Sequence, residues 1–226
     1  MENTSAIKRI GVLTSGGDAP GMNAAVRAVV RAGIYYGLEV YGIKNGYTGL
    51  LAGEIEPMTL RSVSEILSRG GTVLHTSRCP EFRTPEGRER AAAIARVFKL
   101  DAIIIIGGDG SFAGAKLLSE LGVPVIGIPA TIDNDIGCTE YTIGFDTALN
   151  TVKDAIDKIK DTTYSHERCS IIQVMGRQAG YIALNAAIAN GAEICLIPEK
   201  PYDVNTDVIQ PILAGRSRGK THFIIV

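Results

Sequence analysis

Short apolar runs rich in β-branched residues alternate along this chain with stretches that have helical periodicity. Candidate strands lie at residues 10–13, 38–43, 102–106, 123–128, 170–174, 193–197 and 222–226. Candidate helices lie at residues 22–35, 60–68, 86–98, 112–121, 147–160 and 178–190. Because a strand followed by a helix must cross over before it pairs again, this order predicts an α/β fold with doubly wound, mostly parallel sheets.

The chain is long enough for one large domain or two small ones. It has 226 residues, of which 46% are hydrophobic, and this allows a substantial core. Neither an internal repeat nor a low-complexity linker is visible in the sequence. We therefore place a domain boundary in the irregular stretch 135–142, which predicts a first α/β domain at 1–139 and a second at 140–226.

Charge and cysteine content exclude several classes of protein. The chain has 23 basic and 24 acidic residues and a net charge of −1, which argues against binding to nucleic acid or to an anionic membrane surface. Neither a signal-peptide core nor a membrane-spanning window is expected. The four cysteines form no CxxC pair, so we expect reduced thiols in a cytoplasmic protein rather than a zinc site or a disulfide framework.

Two acid-bearing loops follow neighbouring candidate strands, in the segments IIIIGGDGS at 103–111 and VIGIPATIDND at 125–135. Open α/β sheets bind ligands beyond the carboxyl ends of their strands. The first of these loops resembles TSGGDAPG at 14–21, which also joins a strand to a helix and offers backbone amides to a phosphate. Asp109 among glycines suits Mg²⁺, which prefers few carboxylates together with substrate phosphates. The alternatives are a helix-capping Asp109 and glycines that serve only tight turns.

The TIDND loop has the side chains that phosphoryl transfer to a hydroxyl requires. Asp133 is the candidate base, Thr131 could donate a hydrogen bond to the phosphoryl oxygens, and Asp135 could orient Asp133 or a magnesium-bound water. The alternative is an Asx-rich turn that satisfies its own backbone. Together the two acid-bearing loops indicate a kinase.

The motifs SGGDAPGMNAA, GGDGS, TIDND, YTIGFDTA and VMGR occur here in the order found in ATP-dependent 6-phosphofructokinases, and the chain most resembles the bacterial allosteric branch. The resemblance implies a glycolytic enzyme that uses ATP and Mg²⁺ to phosphorylate the 1-hydroxyl of fructose 6-phosphate, giving fructose 1,6-bisphosphate and ADP. It also implies a two-domain architecture and a cytoplasmic homotetramer at full length.

The resemblance assigns roles residue by residue. It implies a nucleotide site at Gly17, Arg78, Cys79, Gly108, Asp109, Gly110 and Ser111, with Asp109 on the metal. It implies a sugar-phosphate site at Thr131, Ile132, Asp133, Arg168, Met175, Gly176 and Arg177, with Arg168 reaching a neighbouring subunit. The residues alone also favour Arg177 as a phosphate clamp, since it follows a candidate strand and precedes a candidate helix.

Two small residues favour ATP as the phosphoryl donor. Pyrophosphate-dependent relatives usually have an aspartate where Gly110 stands and a lysine where Ala130 stands. Small side chains leave room for the α-phosphate of ATP, so we expect ATP, and we expect Ala130 to be tolerated where bacterial relatives have glycine.

A regulatory site is a further expectation. Arg27 and Arg31 lie four residues apart and share a helix face that could bind an effector phosphate, or could simply be solvated. The resemblance adds Lys160, Gly191, Glu193, Arg218, Lys220 and His222, with ADP as activator and phosphoenolpyruvate as inhibitor. Leu60 and Lys160 depart from the arginines of the bacterial relatives, and a lysine lacks the forked geometry of arginine.

The last segment, THFIIV at 221–226, has the pattern of a buried strand. By resemblance, the phosphofructokinase pattern continues beyond it, so the second domain is expected to be incomplete. We therefore expect the isolated chain to bind nucleotide poorly or unstably and to show little or no turnover. Two other interpretations are open: a non-catalytic homologue that binds nucleotide or sugar phosphate, and a GGDG-type kinase with another acceptor.

Overall fold

The computed structural model describes residues 7–226, which form two compact units. The first unit contains the described residues up to Thr131 together with Ile136–Gly144. The second unit contains Ile132–Asp135 and Phe145–Val226. The TIDND loop is thus divided, because Thr131 belongs to the first unit while Asp133 and Asp135 belong to the second. Within residues 7–226, no helix has the length and apolar character needed to cross a membrane.

The first unit is built on a six-stranded sheet with the order β3-β2-β1-β4-β5-β6. Its strands are β1 (Arg9–Ser15), β2 (Glu39–Ile43), β3 (Ile55–Pro57), β4 (Ala102–Gly107), β5 (Val125–Thr131) and β6 (Ile143–Gly144). All neighbouring strands pair in parallel except β2 and β3. The predicted α/β fold with a mostly parallel sheet is therefore confirmed.

Four α-helices belong to this unit: α1 (Met22–Tyr35), α2 (Gly46–Ala52), α3 (Pro85–Val97) and α4 (Asp109–Glu120). Helix α3 begins where Thr84 accepts a hydrogen bond from the Gly87 amide and proline occupies the first turn, a favourable helix start. The core includes Leu13, Ile103 and Ile105 of the sheet, all fully buried against Leu50 and Leu118. Burial of such aliphatic side chains stabilises the fold by roughly 1.5–3 kcal/mol each.

The second unit contains α5 (Phe145–Ser165), β7 (Cys169–Ile171), α6 (Tyr181–Asn190), a π-helix (Val204–Ile209), α7 (Gln210–Ser217) and β8 (Phe223–Ile225). Strands β7 and β8 pair in parallel, with Cys169 opposite Phe223. Ile156 of α5, Ala186 of α6 and Ile224 of β8 share one buried cluster. The apolar stripe predicted for 147–160 thus faces a core.

Two predicted elements are wrong, and their hydrogen bonds show why. Residues 60–68 form turns instead of a helix, since Thr59 and Ser62 bond to each other's backbone amides and Glu65 has a φ of 57°. Residues 193–197 form one isolated bridge, between Ile194 and Ile225, instead of a strand. Main-chain hydrogen bonds join Ile194 and Leu196 to Val226, but the Ile224 amide donates to the Glu193 carboxylate at 2.6 Å, so the pairing does not continue on that side.

Candidate active site

Three parallel strands end side by side in the first unit, and the glycine loops follow them. Ser15 of β1 is in register with Gly107 of β4, which is in register with Pro129 of β5. A β-carbon built on Gly107 would lie 2.5 Å from the Ser15 carbonyl oxygen and 2.6 Å from the Ser111 Oγ. Only glycine therefore allows this close approach of β1, β4 and the start of α4.

Asp109 is exposed and is the first residue of α4. Gly108 occupies the N-cap position without a side-chain cap, so the helix start offers main-chain amides and a partial positive charge to an anion. No atom lies within 4 Å of the position that a β-carbon would take at Gly17 or at Gly110. Open space beside both loops suits a phosphate that approaches the backbone.

The Asp109 position fits Mg²⁺ held mainly by a nucleotide. Within residues 7–226 there is no cluster of three or more His, Cys, Asp and Glu side chains that could hold a metal ion by itself. Mg²⁺ typically binds through one or two carboxylates plus phosphate oxygens and waters. One exposed carboxylate at a helix start therefore matches an ion that arrives with its phosphate.

Thr131 is the last residue of β5 and lies next to the GGDGS loop. A β-carbon on Gly108 would lie 3.5 Å from the Thr131 Cβ, and Thr131 pairs with Gly144 of β6. The Thr142 hydroxyl donates to the Thr131 carbonyl oxygen at 2.6 Å. The preceding residue, Ala130, is fully buried, so its methyl group packs inside the unit.

Tyr47 supports the GGDGS loop from α2, a helix that was not predicted. Its hydroxyl donates to the Ser111 carbonyl oxygen at 2.7 Å, and its ring stacks on Phe82 with 4.0 Å between centroids. Burial raises the pKa of Tyr47 well above its ordinary value, so the phenol stays a donor. The short, glycine-containing sequence of α2 has no apolar stripe that would have revealed this role.

Arg78 and Cys79 follow an irregular loop that reaches back to the first glycine loop. The Thr76 hydroxyl donates to the Gly16 carbonyl oxygen at 2.7 Å. Arg78 is exposed, whereas Cys79 packs against the core of the unit. The bond from Thr76 therefore ties the segment that precedes the predicted nucleotide residues Arg78 and Cys79 to the loop after β1.

In the second unit, Asp133 has charged neighbours that change its acidity. Burial and then the negative charge of Asp135 raise the pKa of Asp133, and the positive charge of Arg177 opposes part of that rise. A raised pKa makes a carboxylate a better proton acceptor near neutral pH. The structure thus brings together the predicted base, its acidic neighbour and the predicted phosphate clamp.

Arg177 lies in a tight turn before α6. Gly176 has a φ of 148°, and a β-carbon there would lie 2.3 Å from the Ala179 carbonyl oxygen. Arg177 itself has a φ of 54°, and Met175 is exposed. The start of α6 is held by Glu199, which accepts the Gly180 amide at 2.7 Å. These restraints fix the backbone from which the Arg177 guanidinium projects.

Arg168 lies between α5 and β7, where its amide donates to the Thr163 carbonyl oxygen at 3.0 Å. It borders a cavity of about 300 Å³ whose other lining residues are Lys158, Ile159, Thr162, Thr163 and Ser170. Two cationic side chains and three hydroxyls line this space. Its chemistry favours an anion, and the role of Arg168 in binding phosphate stays a prediction.

The predicted effector residues fall in both units. In the first, Arg27 donates to the Val63 carbonyl oxygen at 3.0 Å, and Arg31 is exposed. In the second, Lys160 donates to the carbonyl oxygen of Asn190, which immediately precedes Gly191.

Glu193 forms an ion pair with Lys220 in the second unit. Burial alone would raise the pKa of Glu193, but bonds from Lys220 and the Ile224 amide outweigh it and hold that pKa below its usual value. The Nδ1 atom of His222 is buried and has no hydrogen-bond partner among the described residues. Arg218 donates to the Ala214 carbonyl oxygen.

An open, mostly parallel sheet with glycine loops at its carboxyl edge is typical of α/β proteins that bind ligands at that edge. The sequence model of one family, Phosphofructokinase, matches residues 9–226. The chain is 60% identical over 220 residues to ATP-dependent 6-phosphofructokinase 1 of Clostridium perfringens, covering 97% of this chain and 69% of that protein. The same values apply to ATP-dependent 6-phosphofructokinase of Bacillus subtilis.

The solved structures give the same answer for the fold. Phosphofructokinase of Pichia pastoris in the T-state superposes with a TM-score of 0.91 at 38% identity, covering 99% of this chain and 26% of that chain. The chain described here belongs to the phosphofructokinase family. It spans about two thirds of its bacterial relatives and about a quarter of the yeast subunit.

Proposed function

We propose that the protein carrying this chain transfers the γ-phosphoryl group of ATP to the 1-hydroxyl of fructose 6-phosphate, releasing ADP. The observation that carries this proposal is the environment of Asp133, where burial and Asp135 raise the carboxylate's pKa beside Arg177. A proton acceptor next to a cation suits a hydroxyl nucleophile on a phosphorylated sugar. The bacterial relatives are named for the same reaction.

The first unit would hold the donor. Gly17, Gly108, Gly110 and Ser111 would offer backbone amides and space to the phosphates, with Arg78 and Cys79 beside them. Asp109 would bind Mg²⁺, which supplies positive charge against the phosphate oxygens when it is present. The open space at Gly110 favours a nucleotide donor over pyrophosphate, because no side chain there excludes the α-phosphate.

The second unit would hold the acceptor. Asp133 would accept the proton of the attacking 1-hydroxyl, and Asp135 would keep the Asp133 carboxylate basic through its charge. Arg177, Met175 and Gly176 would bind the sugar phosphate, with Ile132 beside them and Arg168 serving a neighbouring subunit. From the first unit, Thr131 would donate to the phosphoryl oxygens as charge develops on them.

Regulation and assembly are part of the same proposal. In the first unit, Arg27 and Arg31 would bind an effector phosphate. In the second unit, the residues that would contact ADP or phosphoenolpyruvate are Lys160, Gly191, Glu193, Arg218, Lys220 and His222. Pairing of Glu193 with Lys220 leaves that carboxylate ionised, which suits a metal-bound diphosphate better than a free anion. A cytoplasmic homotetramer is the expected assembly.

A coupled assay with fructose 6-phosphate, offering ATP or pyrophosphate, tests the reaction. In a protein that carries the whole phosphofructokinase sequence, Asp133→Ser should lower kcat by about 10²–10⁴ while the affinity for both substrates is largely kept. In the same whole protein, Asp109→Asn should weaken the binding of Mg·ATP. Turnover with pyrophosphate alone, or an active Asp133→Ser variant, would refute the assignment. Binding without any turnover in the whole protein would identify a non-catalytic homologue.

A further inference from the structure

Asn23 is a buried polar side chain that the proposed site does not use. It is the second residue of α1 and is almost completely shielded from solvent. Its Nδ2 donates to the carbonyl oxygens of Arg69 and Gly70 at 3.1 and 3.3 Å, and its Oδ1 accepts the Val73 amide at 2.7 Å. All of these hydrogen bonds go to the main chain of one loop.

That loop, residues 69–77, contains neither helix nor strand. A second side chain, Thr14 at the end of β1, holds it further along. The Thr14 Oγ1 lies 2.8 Å from the Thr72 Oγ1 and donates to the His75 carbonyl oxygen at 2.8 Å. Thr14 is fully buried, so the loop is anchored to the sheet from inside the unit.

The anchored loop leads directly to Arg78, the predicted phosphate ligand. Ordering an irregular backbone costs about 1–2 kcal/mol per residue, so a loop without ladder hydrogen bonds depends on such side-chain anchors. Replacing the carboxamide would leave the Val73 amide and two carbonyl oxygens without their partner. The backbone before Arg78 would then sample several conformations.

We propose that Asn23, with Thr14 as a second anchor, is a positioning residue that fixes the 69–77 loop so that Arg78 meets the nucleotide phosphates. This inference rests on the proposed function, because it assumes that Arg78 binds ATP. Asn23 is buried and bonds to the main chain of the loop, so it would act on the nucleotide site through the loop.

A double-mutant cycle separates positioning from a general loss of stability. By calorimetry on a protein that carries the whole phosphofructokinase sequence, Asn23→Ser should weaken Mg·ATP binding about tenfold, and by less than about twofold when Arg78→Ala is already present. Hydrogen exchange without nucleotide should accelerate at 69–78. Asn185→Ser is the matched control, since the Asn185 amide donates to the Tyr181 carbonyl oxygen in an exposed hydrogen bond within its own helix.

The outcomes distinguish this inference from the proposed function. If the effects of Asn23→Ser and Arg78→Ala on binding simply add, or if exchange at 69–78 is unchanged, the inference is overturned. If Asn23→Ser does not fold, the isosteric Thr14→Val must show the same coupling with Arg78→Ala, and its absence is equally decisive. If the whole wild-type protein binds no Mg·ATP, the nucleotide site is refuted, while the exchange measurement still decides whether Asn23 orders the loop.

Discussion

Two glycines of the GGDGS loop, Gly107 and Gly110, should respond in opposite ways to replacement by alanine. At Gly107 a new methyl group would lie 2.5 Å from a main-chain oxygen of β1 and 2.6 Å from the Ser111 Oγ. At Gly110 it would meet no atom within 4 Å. Gly107→Ala therefore tests whether packing within the protein requires glycine, and Gly110→Ala, three residues later, tests whether the proposed nucleotide requires it.

For Gly107→Ala we expect a stability loss at the upper end of the overpacking range. Such substitutions typically cost about 1–3 kcal/mol, and the backbone of β1 cannot rotate away as a side-chain tip can. A loss of about 2–3 kcal/mol corresponds to a fall of roughly 4–12 °C in the unfolding midpoint of a chain of this size. Circular dichroism during heating measures it.

For Gly110→Ala the unfolding midpoint should stay equal or rise, since alanine is about 1 kcal/mol better than glycine within a helix. Mg·ATP binding should nevertheless weaken about tenfold, equivalent to about 1.4 kcal/mol, because the methyl group occupies space meant for phosphate. Calorimetric titration measures this loss. Equal unfolding midpoints for Gly107→Ala and Gly110→Ala would refute the reasoning, as would unchanged ATP affinity in Gly110→Ala.

Three further substitutions test other parts of the structure. The charge of Asp135 raises the pKa of Asp133, so Asp135→Asn should move the acid limb of the kcat/KM profile to lower pH. The charge of Arg177 lowers the pKa of Asp133, so Arg177→Met should move that limb to higher pH. Acid limbs that do not move contradict this. Tyr47→Phe should cost about 1 kcal/mol of unfolding free energy by removing the hydrogen bond from the buried hydroxyl to the Ser111 carbonyl oxygen. The exposed Tyr35→Phe should cost nothing measurable in the same urea titration. Glu193→Gln should lower the unfolding midpoint at pH 7, where the paired carboxylate is ionised. The difference in midpoint between wild type and variant should shrink as pH falls through the lowered pKa of Glu193, and a pH-independent difference argues against the ion pair.

Hydrophobic periodicity predicted much of the fold because it reports which residues are buried. The helix predicted at 22–35 has those bounds in the structure, and the strands around it were also found. The same signal misled at 60–68, where Val63 and Ile66 are indeed buried but the backbone between them turns. An apolar pattern thus identified burial there without specifying the backbone conformation.

The candidate site was predictable only where ligand chemistry restricts residue type. Glycine loops and the acidic TIDND loop stand out in sequence because phosphate, metal and proton transfer require those residues, and their assignments stay predictions. The supporting residues carry no such mark. Tyr47 bonds to a main-chain oxygen 64 positions away, and Asn23 bonds to main-chain atoms 46 to 50 positions away. Only the tertiary fold brings these partners together.

The glycine motifs themselves combine two constraints that sequence cannot separate. Gly107 and Gly176 are required by nearby main-chain oxygens of the protein, at 2.5 and 2.3 Å from a β-carbon. Gly17 and Gly110 have no such neighbour, so nothing in the fold itself excludes a side chain at either position. Open space alone does not identify a ligand site, since Gly70 and Gly137 have it as well. At Gly17 and Gly110 the space lies in loops at the carboxyl edge of the sheet, where open α/β sheets bind ligands, and this supports the proposed position of the nucleotide phosphates.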